Sequence, residues 1–355
     1  MLFILLFGDF CELSLFGKKS YNASHEVREA SRVRKKIYRV ISLVIFVLFS
    51  GCNHSVGVMP CDSHTIHVMA TTSMLGDLLK AIGGERVVVD VLIRGEADPH
   101  SYELVKGDDE RLDSADLLVC TGLNLEHGAS LQAKIAAHAH TVNIGAYFLR
   151  EYRDLLLWED GQIDPHVWMD VSLWTHCIEP MVEALCSIDP EGVELYRERG
   201  ECLKTTMQAH HAMLKERIQA IPSEKRYLVT SHDAFGYFAR GYLATSEEVE
   251  SGTWKQRFCA PEGLSPDGQL SVMHLRFIID HLAKYKITTV FPELNVSRDS
   301  LRKIIHACRD QHVVVRFSTE PLYGDCMGVQ GSLGDTYLGM MEHNILVLIR
   351  EWSVL

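Results

Sequence analysis

The sequence predicts an α/β protein of two lobes joined by one long helix, with a crevice between the lobes. Three observations carry this expectation. From about Ser63, short β-rich runs alternate with helical stretches, the pattern of layered α/β architecture. From Glu191 to Ala220 there is no glycine after Gly200 and no proline until Pro222, and Leu195, Leu203, Met207, Met213, Leu214 and Ile218 recur at helical spacing. Beyond that stretch the β/α alternation begins again.

In the first lobe, strands are expected at 67–72, 87–93, 117–121 and 141–144, where aliphatic and β-branched residues cluster. Helices are expected between them at 75–82, 105–114 and 128–139, and a further one at 171–186 closes the lobe. A connecting helix of thirty residues would run roughly 45 Å, enough to cross a domain rather than lie inside one. Gly200 leaves two shorter helices as the alternative, because glycine weakens a helix interior. The second lobe should hold strands at 227–230, 288–291 and 313–317, and helices at 235–242, 271–285, 298–311 and 336–352. The boundaries that follow are 65–188 for the first lobe, 189–221 for the connecting helix and 222–355 for the second lobe. A chain of 355 residues is expected to bury two medium cores rather than one large one. Two lobes of similar size bind ligands at the strand ends facing the crevice.

The front end reads as an export signal. Arg32, Arg34, Lys35, Lys36 and Arg39 form a basic cluster, and residues 40–49 are apolar apart from Ser42. That run is too short to span a bilayer and suits a signal-peptide core. It ends at Ser50-Gly51-Cys52, which resembles a bacterial lipoprotein cleavage site with Cys52 as the lipid-bearing residue. Residues 1–51 are therefore expected to be a leader and 52–64 a lipid-anchored linker. Because a signal peptide starts close to its basic region, translation is expected to begin near residue 30.

The net charge of −12 is unevenly spread. Residues 1–51 carry eight basic and four acidic residues, leaving 27 basic against 43 acidic in the remainder. Such a surface repels a phosphate backbone, so no nucleic-acid partner is expected, and it suits cations. Of ten cysteines, eight remain after Cys11 and Cys52 are set aside, an even number in a compartment that permits disulfides. No CxxC pair points to a structural zinc knuckle. Cys259 and Cys326, both expected in loops, are the pair expected to bridge, with unpaired buried thiols as the alternative.

Four loops carry the chemistry: Ala97–Glu103, Asp164–Trp168, Thr230–Phe235 and Pro321–Asp325. Asp-Pro-His occurs twice, at Asp98–His100 and Asp164–His166. Proline fixes its own backbone and restrains its neighbour, so the following histidine loses little freedom on binding. The preceding carboxylates, Asp98 and Asp164, are candidates to fix each imidazole tautomer from outside the ligand shell. Neutral imidazole is the commonest side-chain ligand for zinc and its neighbours, and a carboxylate compensates charge. His100, His166, His232 and Asp325 would make a four-ligand shell, two from each lobe. The remaining histidines, such as His138, His140, His210, His211, His274 and His281, read as surface or hydrogen-bonded residues.

Together these loops resemble those of the metal receptors of bacterial ABC importers for zinc, manganese or iron, the zinc-uptake component A or TroA-like family. The likeness runs from about His67 to the C-terminus. It includes Asp-Pro-His-Ser-Tyr-Glu, Asp-Pro-His-Val-Trp, Ser-His-Asp-Ala-Phe-Gly-Tyr-Phe, the strand end Phe291-Pro292-Glu293 and Leu-Tyr-Gly-Asp. The resemblance implies that His100, His166 and His232 are the three histidine ligands and Asp325 the acidic one, with Glu293 an acidic neighbour outside the shell. It implies two α/β lobes on one rigid helix with a metal site in the cleft. It implies one divalent transition metal (zinc, manganese or iron) per chain as transported ligand, permease and ATPase partners, a lipid-anchored envelope location and a monomer. The histidine at 232, a position where some members carry glutamate, makes the shell richer in nitrogen. The chain lacks the long His-rich loop of many zinc-dedicated members, and its extended leader departs from the family pattern.

Two other classes compete with this expectation. A metal-dependent hydrolase needs an open coordination position and a general base, for which Glu293 or Asp233 would have to serve. The chain contains no HExxH, GxSxG, Walker-type or GxGxxG motif, so no enzyme is expected. A surface adhesin would hold its metal structurally, and removing the metal would unfold it. Because ligands must be deprotonated, binding is expected to weaken as pH falls through the histidine range.

Overall fold

The computed structural model describes residues 65–159, 161–266 and 270–353. The expectations for the leader, the start near residue 30, the Cys52 anchor and the linker 52–64 lie outside the described residues.

The first lobe is built on β1 (Ile66–Ala70), β2 (Val87–Val91), β3 (Leu117–Cys120) and β4 (Thr141–Asn143), a parallel sheet in the order β2-β1-β3-β4. Ile66 pairs with Val87, Val68 with Leu117 and Leu118 with Thr141. Parallel sheets are covered on both faces, and β3 is buried at every position, as its Leu-Leu-Val-Cys sequence requires. Helix α1 (Ser73–Gly83) buries Met74, Leu75, Leu78, Leu79 and Ile82 against the sheet. A side chain at Gly76 would begin 2.6 Å from Val91 Cγ2, so glycine is what lets this helix approach β2. Helices α2 (Asp108–Asp113) and α3 (Ala129–Ala137) complete the expected alternation.

Helix α4 (Ile144–Glu151) and the hairpin β5 (Trp158–Glu159) to β6 (Gln162–Ile163) were not among the expected elements. The helix has a local signature: Asn143 caps it by accepting from the Ala146 amide, and Ile144, Tyr147 and Phe148 make its buried face. The hairpin turns on Gly161, whose φ of 80° favours glycine. Asp-Gly at 160–161 is a strong short-range hairpin signal.

The helix expected at 171–186 is instead α5 (Val171–Trp174), a 3₁₀ turn (Thr175–Cys177) and α6 (Ile178–Ile188). Pro180 has no amide to donate, so the helix restarts with proline in its first turn, where that loss is free. Helix α7 (Val193–Gln219) is unbroken over 27 residues, roughly 40 Å. Gly200 does not interrupt it; the glycine lies buried against α6, where an added Cβ would sit 2.7 Å from Val182 Cγ2.

The second lobe pairs β7 (Leu228–Val229) with β8 (Phe258–Cys259), and β9 (Thr289–Val290) with β10 (Arg316–Phe317), all parallel. The Phe291 amide donates to the Val229 carbonyl and ties the two pairs together. Helices α8 (Gly236–Phe238, continuing as a π turn, Ala239–Leu243), α9 (Ser246–Ser251), α10 (Val272–Lys284), α11 (Asp299–Asp310) and α12 (Tyr337–Ser353) surround them.

The two-core expectation is corrected. One continuous cluster joins Val68 and Leu75 of the first lobe, Tyr196 and Met207 of α7, and Phe235, Tyr242, Met340 and Leu348 of the second. Smaller clusters cover the far faces, around Leu118 and Leu131 in one lobe and Ile278 and Leu301 in the other. The Cys259–Cys326 bridge is also corrected: both are free buried thiols. Cys259 lies on β8 within the satellite core of the second lobe, whereas Cys326 follows Asp325 in the site loop, where burial pushes its thiol up to about 12. Among the described residues no helix is long and apolar enough to cross a membrane.

Candidate metal centre

The four loops singled out in the sequence converge between the lobes. His100 follows β2, and Asp98 accepts from both the His100 amide (2.9 Å) and Ser101 Oγ (2.7 Å), which winds the loop tightly behind the proline. The carboxylate of Asp98 thus fixes the backbone, not the imidazole as expected; His100 Nδ1 instead faces Ser265 Oγ at 3.2 Å. His166 precedes a 3₁₀ turn (Val167–Met169), and Asp164 Oδ1 meets both its amide (2.9 Å) and its Nδ1 (2.7 Å). One carboxylate there holds backbone and ring together.

His232 leaves the end of β7. Glu293 Oε1 accepts from the Ser231 and His232 amides at 3.0 and 2.9 Å, and its Oε2 lies 2.7 Å from His232 Nδ1. Asp325 lies in the loop after β10. The Trp168 indole donates to the neighbouring Gly324 carbonyl at 2.9 Å, and Tyr337 in turn donates to the Trp168 carbonyl at 2.6 Å, which ties the His166 loop to the Asp325 loop.

His100, His166, His232 and Asp325 are all buried, and their ligand atoms lie within 4.8 Å of one another. His100 Nε2 is 3.2 Å from His166 Nε2 and 3.5 Å from Asp325 Oδ2. His166 Nε2 is 3.4 Å from Asp325 Oδ1, and His232 Nε2 is 3.1 Å from Asp325 Oδ2. Ligand atoms about 2.0–2.1 Å from a tetrahedral zinc stand roughly 3.3–3.4 Å apart, and these four separations are close to that. Both Asp325 oxygens are buried without a hydrogen bond inside the protein, and an orphaned buried carboxylate is costly unless a cation faces it.

The electrostatics agree. Burial pushes Asp164 up to about 8 and His166 down to about 3. Burial also opposes charge on His232, but Glu293 and Asp325 outweigh it and hold this imidazole well above its ordinary range. Burial likewise opposes charge on Asp325, but His232 and His166 hold its carboxyl well below the usual range. Asp325 is thus held as a buried anion facing the imidazoles.

Ser265 and His127 were missed by the sequence reading. Ser265 Oγ lies 3.3 Å from His127 Nε2 as well as facing His100. No local motif marks either residue; a polar loop position opposite the Asp98–His100 loop becomes visible only when the lobes are assembled.

Fold and site together define a class: two-lobed α/β proteins with imidazoles and a carboxylate converging on one buried point between the lobes. The chain belongs to the family described as zinc-uptake complex component A, periplasmic, whose model matches residues 68–350. It is 35% identical over 301 residues to the metal-binding protein YtgA of Chlamydia pneumoniae, covering 85% of this chain and 89% of that one. It is 28% identical to the manganese-binding lipoprotein MntA of Bacillus subtilis, covering 86% and 96% respectively. Among solved structures, that of Fe(III)-bound YtgA from Chlamydia trachomatis superposes with a TM-score of 0.76 at 34% identity, covering 81% of this chain and 98% of that one.

Proposed function

We propose that the chain is the extracytoplasmic receptor of an ABC importer. It captures one transition-metal ion on His100, His166, His232 and Asp325 and delivers it to a membrane permease driven by its ATPase. The observation that carries this reading is the meeting of four buried potential ligand atoms within 4.8 Å of one another, two from each lobe. Asp164 and Glu293 orient two of the imidazoles from outside the shell, and Asp98 shapes the loop of the third. After export the chain is held at the membrane surface by a lipid on Cys52 and works as a monomer.

Three imidazoles and one carboxylate suit Zn²⁺, Mn²⁺ and Fe²⁺, and intrinsic affinity follows ligand chemistry rather than cargo. Asp325 meets imidazoles with both oxygens, so it is placed to add a fifth ligand atom for an ion preferring higher coordination. The test strips the purified chain of metal and titrates Zn²⁺, Mn²⁺ and Fe²⁺ separately, with a His100→Ala/His166→Ala double variant as control. One tight equivalent, lost in the folded variant, is expected. Binding that survives both substitutions removes this reading.

A further inference from the structure

The outer nitrogens of the three histidines are treated differently. Those of His166 and His232 face the carboxylates of Asp164 and Glu293, whereas that of His100 faces the neutral Ser265 hydroxyl. The hydroxyl continues to His127 Nε2 at 3.3 Å, and His127 Nδ1 lies 2.7 Å from the Asn124 carbonyl oxygen.

A carbonyl only accepts, so His127 Nδ1 carries the proton of the neutral ring and its Nε2 offers a lone pair. Ser265 then donates its single proton to His127, and its oxygen is left to accept from His100 Nδ1–H. A proton on Nδ1 leaves His100 Nε2 as a lone pair, the form that binds metal. The chain of hydrogen bonds runs in one direction only: His100 to Ser265 to His127 to Asn124.

The links do not all come from one lobe. His100 and His127 lie on loops of the first lobe, whereas Ser265 lies on the loop after β8 in the second. A cavity of about 450 Å³ is lined in part by His100, His127, Pro165, Leu264 and Ser265. His100 is therefore the imidazole held by the weakest outer partner, and that partner lies across the crevice.

We propose that Ser265 and His127 form an inter-lobe relay that fixes the His100 tautomer, and that parting the relay makes His100 the first ligand to let go. This rests on the metal-receptor reading of the same site. Ser265 and His127 are positioning residues; neither touches the metal.

The test measures the rate at which Zn²⁺ leaves the loaded, purified chain for an excess of chelator, together with equilibrium affinity and ¹⁵N histidine spectra that report the His100 tautomer. Ser265→Ala and His127→Phe are each expected to speed release roughly 10-fold, within the range that such outer partners command. The double variant should release no faster than the faster single, because the two act in series. Ser265→Thr should restore slow release, and in zinc-free Ser265→Ala the His100 proton should spread over both ring nitrogens.

Unchanged release in both single variants, or multiplying effects in the double, overturns the relay. So does a fall in the thermal midpoint of the zinc-free chain large enough to account for the faster release. His100→Ala separates the two levels of the argument. If it abolishes binding while Ser265→Ala does nothing, the relay is wrong and the site stands. If zinc binding survives His100→Ala, the site itself is wrong.

Discussion

At His166 one carboxylate does the work of two, because Asp164 Oδ1 meets both the backbone amide and the ring of the same residue. Asp164→Asn keeps the shape but replaces the carboxyl oxygen that holds the His166 ring and amide with an amide that can turn its NH2 toward them, so metal affinity should fall roughly 10–100-fold. Competition titration reads this; an unchanged affinity would show that Asp164 serves the loop alone. Gly324 makes a second prediction. A Cβ there would stand 2.3 Å from Glu293 Oε2 and 3.6 Å from His232 Cε1, so Gly324→Ala must push the carboxylate off His232. Overpacking of that kind costs about 1–3 kcal/mol, and a lower denaturation midpoint together with weaker metal binding is expected. The four side chains that converge were legible in the sequence, since Asp-Pro-His written twice is a local signal and the resemblance supplied the order. Their outer partners were legible where they are neighbours in the chain or, for Glu293 beside His232, where the resemblance supplied them. Asp164 was found, Asp98 was assigned to the ring although it holds the backbone, and neither Ser265 nor His127 carried a signal: His127 reaches His100 only through the folding of the first lobe, and Ser265 only when the two lobes assemble.

Helix α7 shows why element boundaries were harder to read than element types. Gly200 in a helix interior costs about 1 kcal/mol relative to alanine, which made a break plausible on propensity alone. Tertiary packing decides otherwise, because the missing side chain lets α6 bring Val182 to within 2.7 Å of where a Cβ would sit. Gly200→Ala therefore gains about 1 kcal/mol of propensity and loses about 1–3 kcal/mol to crowding, a net loss expected in urea unfolding. Val182→Ala in the same chain should recover part of it, and a stabilised Gly200→Ala would refute the close approach. The start of this helix is tied down by charge. Arg86 holds Asp189 in a two-point ion pair at 2.6 and 2.8 Å, and Tyr196 donates to the same carboxylate at 2.6 Å. The Arg86 guanidinium in particular keeps the Asp189 carboxyl down at about 2. Its folded value lies below the unfolded value of about 3.9, so the contribution is present above that pH and lost as pH falls toward 2. Nearly two pH units correspond to about 2.5 kcal/mol. The stability gap between the natural chain and Asp189→Asn should accordingly shrink between pH 4 and pH 2, read from urea midpoints across that range.

On the scale of the whole molecule, periodicity reports which faces are apolar but not what they meet. The sequence therefore divided the chain into two lobes and assumed a core for each. The actual core runs through α7 and joins Leu75 to Phe235 and Met340 without interruption. Two lobes sharing one core open only slightly, because close-packed interiors resist continuous deformation. They should also unfold together: Trp fluorescence, which includes Trp168 at the lobe junction, and far-ultraviolet circular dichroism should give one coincident transition. Two separated transitions would show that the lobes are energetically independent despite their contact. The same core explains why the metal is expected to be removable. The cluster includes none of the four converging side chains, so its packing does not rest on the ion. The metal-free chain should remain folded, and metal should add stability only by mass action, about 4 kcal/mol at a thousandfold excess over Kd. For a chain of this size that corresponds to a thermal midpoint higher by on the order of 10 °C. Collapse of the far-ultraviolet signal on chelation would instead mark the ion as structural and remove the basis for reading the site as one that releases its cargo.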